Sequence, residues 1–266
     1  MIWSANAAEG FLMERFYVPP DALHEDHAWI TGDELKHLSV VLRLRAGDPV
    51  EVFDGRGRGF SGRLAEVGKT HAVVVREAPI TEARDSALRI GLAQGIPKGD
   101  RMEWITQKAT ELGVDSLLPL ELDRCVVHLG GETKRQDRQA RWQKTALEAA
   151  KQCGRLTVPT VLPPVALDPF LRRIQPSDLL LIPWEQGGQP LRDFFAEEER
   201  GKMIRSPGEG QIWIMIGPEG GMTEAEVETG RRIGGRVLTL GPRILRTDTA
   251  GLMLLSVLQH RWGDMG

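Results

Sequence analysis

The stretch WIMIGPEGGMTEAEVE, Trp213 to Glu228, changes character twice. Its apolar opening predicts a buried strand ending at Ile216. Thr223, with Glu226 three residues on, has the spacing of a capping box that opens a helix. Between them lie Gly217, Pro218, Gly220 and Gly221. An ordinary strand-to-helix turn needs one glycine. Three with a proline predict a loop whose backbone N–H and C=O groups face a ligand, because a missing Cβ permits close approach. A second stretch, LTLGPRILRTDTAGLMLLSVLQ (Leu238 to Gln259), repeats the plan. A strand bends at Gly241–Pro242, and Ile244 and Leu245 can floor an apolar slot. Arg246, Thr247, Asp248 and Thr249 offer polar contacts, and an apolar helix runs from about Ala250 to Arg261. Ligands of parallel sheets bind beyond the carboxyl ends of strands. The two loops are therefore expected to share one pocket, with the core helix as its rigid support.

Working outward, apolar segments alternate with helical ones from Leu88 onward. LRIGLAQGI, VDSLLPL, DLLLIPW, QIWIMIG and GRVLTLG read as strands. DRMEWITQKATELG reads as a helix capped by Asp100 and closed by Gly113, with Met102, Ile105, Ala109 and Leu112 on one stripe. A basic helix is expected over Glu132–Cys153, and others near Pro190–Glu199 and Thr223–Gly234. Trp104 and Trp142 fall where core packing or a dimer seam is expected. Such alternation means parallel strands covered on both faces, an α/β fold. The first eighty residues differ. RFYV, DPVEVFD, GFSGRLAEVG and HAVVVREA are short strands around one helix, Thr31–Leu44, with Leu35, Leu38 and Leu42 on its stripe. They predict a small β-barrel in which DGRGRG (Asp54–Gly59) is a hairpin loop. Hydrophobicity drops around ITEARDSA (Ile80–Ala87). The expected division is an extension over 1–13, a barrel over 14–80, a linker over 81–87 and the α/β domain over 88–266.

A hydrophobic content of 41% and a charged content of 27% suit a globular chain with a sizeable core. No run predicts a membrane span, and the N-terminal residues do not form a convincing secretory signal. Cys125 and Cys153 are too few for a disulfide framework and too far apart for a metal knuckle, so reduced thiols in a cytoplasmic protein are expected, with no metal. No dinucleotide fingerprint follows a strand and no P-loop occurs. The net charge of −3 argues against indiscriminate coating of nucleic acid. Basic residues cluster nonetheless. Lys134, Arg135, Arg138, Arg141, Lys144, Lys151 and Arg155 face only Asp137 and Glu148, and five arginines with no acid lie between Arg231 and Arg246. Such clusters suit a phosphate-bearing partner or a solvated helix face.

IGPEGGMTEAEVE and LGPRILRTDTA resemble the paired cofactor loops of the SPOUT superfamily of RNA methyltransferases. More narrowly, the chain resembles the RsmE family, which methylates a uridine of small-subunit (16S) ribosomal RNA at N3. RFYV, HLSVVLRLRAGD, QGIPKGDRMEWITQKATELGV and EAAKQCGR match that family's motifs in order. Two residues depart from the pattern: Lys151 stands where an acid is usual, and Asp248 where glutamate is. The resemblance implies a PUA-like β-barrel, a SPOUT α/β domain with a trefoil knot, a homodimer, and S-adenosylmethionine as methyl donor. It assigns the donor to Pro183, Ile216, Gly217, Glu219, Gly220, Gly221, Leu240, Gly241, Ile244, Leu245, Arg246, Thr249 and Ala250. Arg246 is expected to stabilise the uridine anion, assisted by Glu219 or Asp248. Charge and position within these segments make Arg15, Lys98, Arg124, Arg138, Gln152 and Arg155 the RNA-contact candidates. A non-catalytic ribosomal RNA-binding or assembly factor is the alternative.

Overall fold

The computed structural model describes residues 13–81, 84–127, 129–200 and 210–266. The expected extension thus lies, Met13 apart, outside the described residues. Two compact units form: one is the chain through Asp85 with Lys151–Thr157, the other Ser86–Ala150 with Val158–Gly266.

The first unit is a curled five-stranded sheet of β1 (Glu14–Tyr17), β2 (His27–Ile30), β3 (Pro49–Phe53), β4 (Gly59–Val67) and β5 (Ala72–Pro79), in the order β1-β3-β4-β5-β2. Only the β1–β3 pairing is parallel. Alternation along the strands turns Phe16, Val50, Val52, Phe60, Leu64 and Val74 inward as one core. Two register shifts between β4 and β5 bend the sheet. Asp54–Gly59 is the β3–β4 hairpin connection, as its flanking strands predicted. The single helix expected over Thr31–Leu44 is instead a short α1 (Gly32–Lys36) continuing as a π-turn over His37–Val41. Leu35 and Leu38 are buried and Leu42 packs beside them, so the apolar stripe survives the change of winding.

Lys151–Thr157 corrects the expectation that residues 88–266 cluster as one block. Lys151 Nζ pairs with Glu34 Oε1 at 2.7 Å, and Arg155 Nε with Asp85 Oδ1 at 3.0 Å. Asp85 Oδ2 also accepts the N–H groups of Leu156 and Thr157 at 2.9 and 3.1 Å. A carboxylate that accepts two main-chain donors and a guanidinium fixes a turn more firmly than apolar contact alone.

The second unit is a sheet of β6 (Ile90–Gly95), β7 (Ser116–Glu121), β8 (Thr160–Val161), β9 (Val165–Ala166), β10 (Leu179–Pro183), β11 (Gln189–Pro190), β12 (Ile212–Ile216) and β13 (Arg236–Thr239). The order is β11-β13-β10-β12-β6-β7-β8, with β9 also on β7, and every pairing is parallel. Helices α2 (Arg101–Glu111), α3 (Glu132–Cys153), α4 (Leu167–Leu171), α5 (Leu191–Arg200), α6 (Glu224–Arg232) and α7 (Thr247–Trp262) intervene. β6, β10 and β12 are buried along their whole length, which is why their sequences are apolar apart from Gln94. The two-residue strands β8, β9 and β11 carry too little pattern to be read in advance. Because β13, β10, β12 and β6 are adjacent and parallel, the loops that leave them emerge side by side. This brings together segments 153 positions apart, those of Gln94 and Thr247.

Candidate functional site

The predicted capping box is present. Thr223 Oγ1 accepts the N–H of Glu226, and Glu226 Oε2 accepts the N–H of Thr223 at 2.7 Å, so α6 begins sharply after the glycine loop. Glu226 Oε1 takes the N–H of Asp123 at 2.8 Å. Arg124 Nη1 donates to the carbonyls of Gly220 and Met222 at 2.9 and 3.4 Å, which braces the loop from the side.

Helix α7 starts at Thr247 rather than Ala250, so the residues expected in the loop form its first turn. The buried Thr247 links three segments. Gln94 Nε2, at the end of β6, donates to Thr247 Oγ1 at 2.8 Å, and Thr247 Oγ1 donates to the carbonyl of Gly217 at 2.5 Å. The hydroxyl acts once as acceptor and once as donor, so both loops are fixed by a single side chain. Thr247→Val keeps the shape and removes the hydroxyl, leaving an amide N–H and a carbonyl unpaired. We expect about 2 kcal/mol lost from unfolding free energy in urea, with Thr247→Ser near wild type.

The loops enclose a cavity of about 430 Å³, within the range of small-ligand sites. Pro183, Ile216, Gly217, Glu219, Gly220, Gly221, Ile244, Leu245, Arg246 and Ala250 line it, all of them sequence candidates. Leu240 and Gly241 line a neighbouring compartment of about 120 Å³ that shares Pro183, Glu185, Ile244, Leu245 and Ala250 with the first. Thr249 lines neither compartment. Asp248 lines neither as well; it sits half-buried in the first turn of α7, its Oδ1 accepting from Thr249 Oγ1 at 3.3 Å. Glu219 does reach the cavity, but its Oε1 already takes the Lys98 N–H at 3.0 Å and Arg101 Nη1 at 3.4 Å.

Arg101 and Glu185 are cavity residues that the sequence did not single out. Asp100 does occupy the N-cap position of α2, yet its side chain makes no capping bond and instead accepts Arg141 Nη2 at 2.9 Å. Trp142 is core, whereas Trp104 is 45% exposed and so lies outside the core.

Two of the RNA-contact candidates have partners within the chain. Arg15 is held by the carbonyls of Lys151 and Arg155 at 3.2 and 3.1 Å and by Glu51 at 2.9 Å, and burial lowers its pKa. Arg155 is buried on Asp85. Lys98, Arg124, Arg138 and Gln152 are exposed. Within the basic cluster Arg135, Arg141 and Lys151 pair with carboxylates, leaving Lys134, Arg138 and Lys144 as the outward charge of α3. No described helix is long and apolar enough to cross a membrane, and no group of three or more metal-ligating side chains occurs among the described residues. Cys125 is buried, which raises its thiol pKa, and is unbridged like Cys153.

Comparison with known proteins gives this geometry a context. An RNA methyltransferase domain matches residues 84–259, and an RNA methyltransferase PUA domain matches residues 30–75. Ribosomal RNA small subunit methyltransferase E of Bacillus subtilis is 36% identical over 87% of this chain and 89% of its own. The Synechocystis protein of the same name is 30% identical over 94% and 79%. The crystal structure of that methyltransferase from Neisseria gonorrhoeae, bound to S-adenosyl methionine, superposes with a TM-score of 0.83 at 35% identity, covering 96% of this chain and all of that one. The architecture is accordingly a PUA-like curled β-sheet followed by a SPOUT-type α/β domain. The chain belongs to the RNA methyltransferase family, among the ribosomal RNA small subunit methyltransferases E.

Proposed function

We propose that this chain transfers a methyl group from S-adenosylmethionine to N3 of one uridine in small-subunit (16S) ribosomal RNA, as a cytoplasmic homodimer. The observation that carries the reading is the single cleft formed where two glycine-and-proline loops close beyond β12 and β13, parallel strands that flank β10. The cleft fits the donor chemically. At Gly221 the backbone has φ +71, a conformation that side chains rarely adopt, so the wall there is main chain. Main-chain amides suit an adenine edge, and Ile216, Ile244 and Leu245 supply apolar surface.

S-adenosylmethionine supplies a methyl group already activated on a sulfonium. The residues must then orient the acceptor and manage its proton. Uridine N3 carries a hydrogen between two carbonyls, so its anion places charge on both oxygens. Arg246 stays protonated and cannot take that hydrogen, but it lowers the cost of the anion. Lys98, Arg124, Arg138 and Gln152 contact RNA in this reading. Trp104, exposed on α2, belongs to the subunit seam, so sedimentation at micromolar concentration should give a dimer that Trp104→Glu weakens.

Mass spectrometry of small-subunit ribosomal RNA from a strain lacking the protein tests the reaction. One N3-methyluridine should be missing and should return with the wild-type chain; an unchanged methylation pattern would refute the reading. RNA affinity should fall at least about tenfold between about 50 and about 200 mM salt, as expected for a few phosphate contacts. A flat salt dependence measured by filter binding would remove the basic contacts from the account.

A further inference from the structure

The walls of the main cavity hold four charged side chains, Arg101, Arg246, Glu185 and Glu219. Glu219 is neutralised in place by Arg101 and by the Lys98 N–H. Glu185 is different. It follows β10 by two residues, lies against Gly221, and borders both compartments. Among the described residues it has no hydrogen-bond or ion-pair partner. The cleft therefore presents a carboxylate at the junction of its two compartments that no cation among the described residues satisfies. Arg246, which likewise has no side-chain partner among the described residues, leaves the opposite charge free at the same cavity.

A negative charge without a protein partner in a ligand cavity is a specificity element for a cationic ligand. We propose that Glu185 is the counter-charge that makes the cleft prefer the sulfonium form of the donor to its neutral thioether product. This inference rests on the methyl-transfer reading above. The two forms share the adenine, the ribose and the amino-acid end, and differ by one methyl group and one positive charge at sulfur. Glycine loops and apolar side chains that hold the shared parts cannot tell them apart. A carboxylate can, and by favouring the charged form it hastens exchange of spent donor for fresh.

Isothermal titration of the full chain with S-adenosylmethionine and with S-adenosylhomocysteine is the test, on wild type, Glu185→Gln and Glu185→Asp. Glu185→Gln should weaken sulfonium binding about tenfold, the scale of one partly screened charge pair, and thioether binding by less than about threefold. Glu185→Asp should keep most of the discrimination. Equal weakening for both ligands would mean the carboxylate meets a part they share, and no weakening would mean it meets neither; either result overturns the proposal. A wild-type chain that binds neither ligand would instead refute the methyl-transfer reading itself.

Discussion

Arg246→Ala should lower the single-turnover rate at saturating RNA and donor by about 10²- to 10³-fold, the range seen when one donor to a developing oxyanion is removed. The expectation starts from position. Arg246 is the N-cap residue of α7, and its carbonyl accepts the N–H groups of Thr249 and Ala250, both at 2.9 Å. The backbone is thus tied to the helix while the side chain stays free to face the cavity. Losing the guanidinium leaves the anion of the acceptor without its nearest fixed positive charge. The cost should appear in the rate more than in donor affinity, which calorimetry should find within about threefold of wild type if the charge acts chiefly on the acceptor. The pH profile carries a second signature. A cation beside the imide lowers its effective pKa, so without it the rise in rate with pH should move to higher pH. Arg246→Lys, a point charge without the planar fork, should recover part of the rate. A full rate in Arg246→Ala would place the anion-stabilising charge elsewhere, with Arg101 the next residue to substitute.

The sequence announced this cleft because its walls are built from residues whose physical reasons are local. Gly217, Gly220, Gly221 and Pro242 are unusual wherever they fall after an apolar strand, and Thr223 with Glu226 declares a helix start by spacing alone. Alternation of strand and helix then implied a parallel sheet. Neighbour order did not follow: nothing in Gln94 reveals that β6 lies beside β12 and puts its amide on Thr247. Charged residues were read least well. Arg15 and Arg155 counted as basic surface because a sequence shows the sign of a charge and not its partner. Arg15 binds the carbonyls of Lys151 and Arg155 and the carboxylate of Glu51, and Arg155 binds the carboxylate of Asp85. Lys151, the departure from the family's acid, pairs with Glu34 and so has a local use that only the folded chain reveals. Glu185 and Arg101 went unnoticed for the converse reason. A single charge in a loop or at the start of a helix looks the same whether it faces water or a ligand.

Gly95→Ala is expected to damage the site as severely as any change that leaves its polar groups intact. Gly95 ends β6, buried, and a Cβ there would stand 2.6 Å from Pro218 N and 2.8 Å from both Gly217 C and Pro218 Cδ. Main-chain atoms cannot rotate out of the way as the end of a long side chain can. The glycine loop could retreat only by pulling the Gly217 carbonyl off Thr247 Oγ1, and Thr247 is itself held by Gln94. One methyl group therefore sets packing against the hydrogen bonds that join the two loops. Overpacking of this kind costs about 1–3 kcal/mol, which should lower the melting temperature by several degrees in a chain of this size. Donor affinity should fall further than stability alone implies, by about 10²-fold, because the displaced atoms are the cavity wall and misplacement by about 1 Å is enough to lose that much. Gly131→Ala is the matched control, since its Cβ would meet nothing within 4 Å and should change stability by less than about 0.5 kcal/mol. Calorimetric melting with donor titration separates the two effects. A Gly95→Ala chain that melts and binds like Gly131→Ala would show that β6 and the glycine loop are not pressed together, and the rigid joining of the two loops would have to be abandoned.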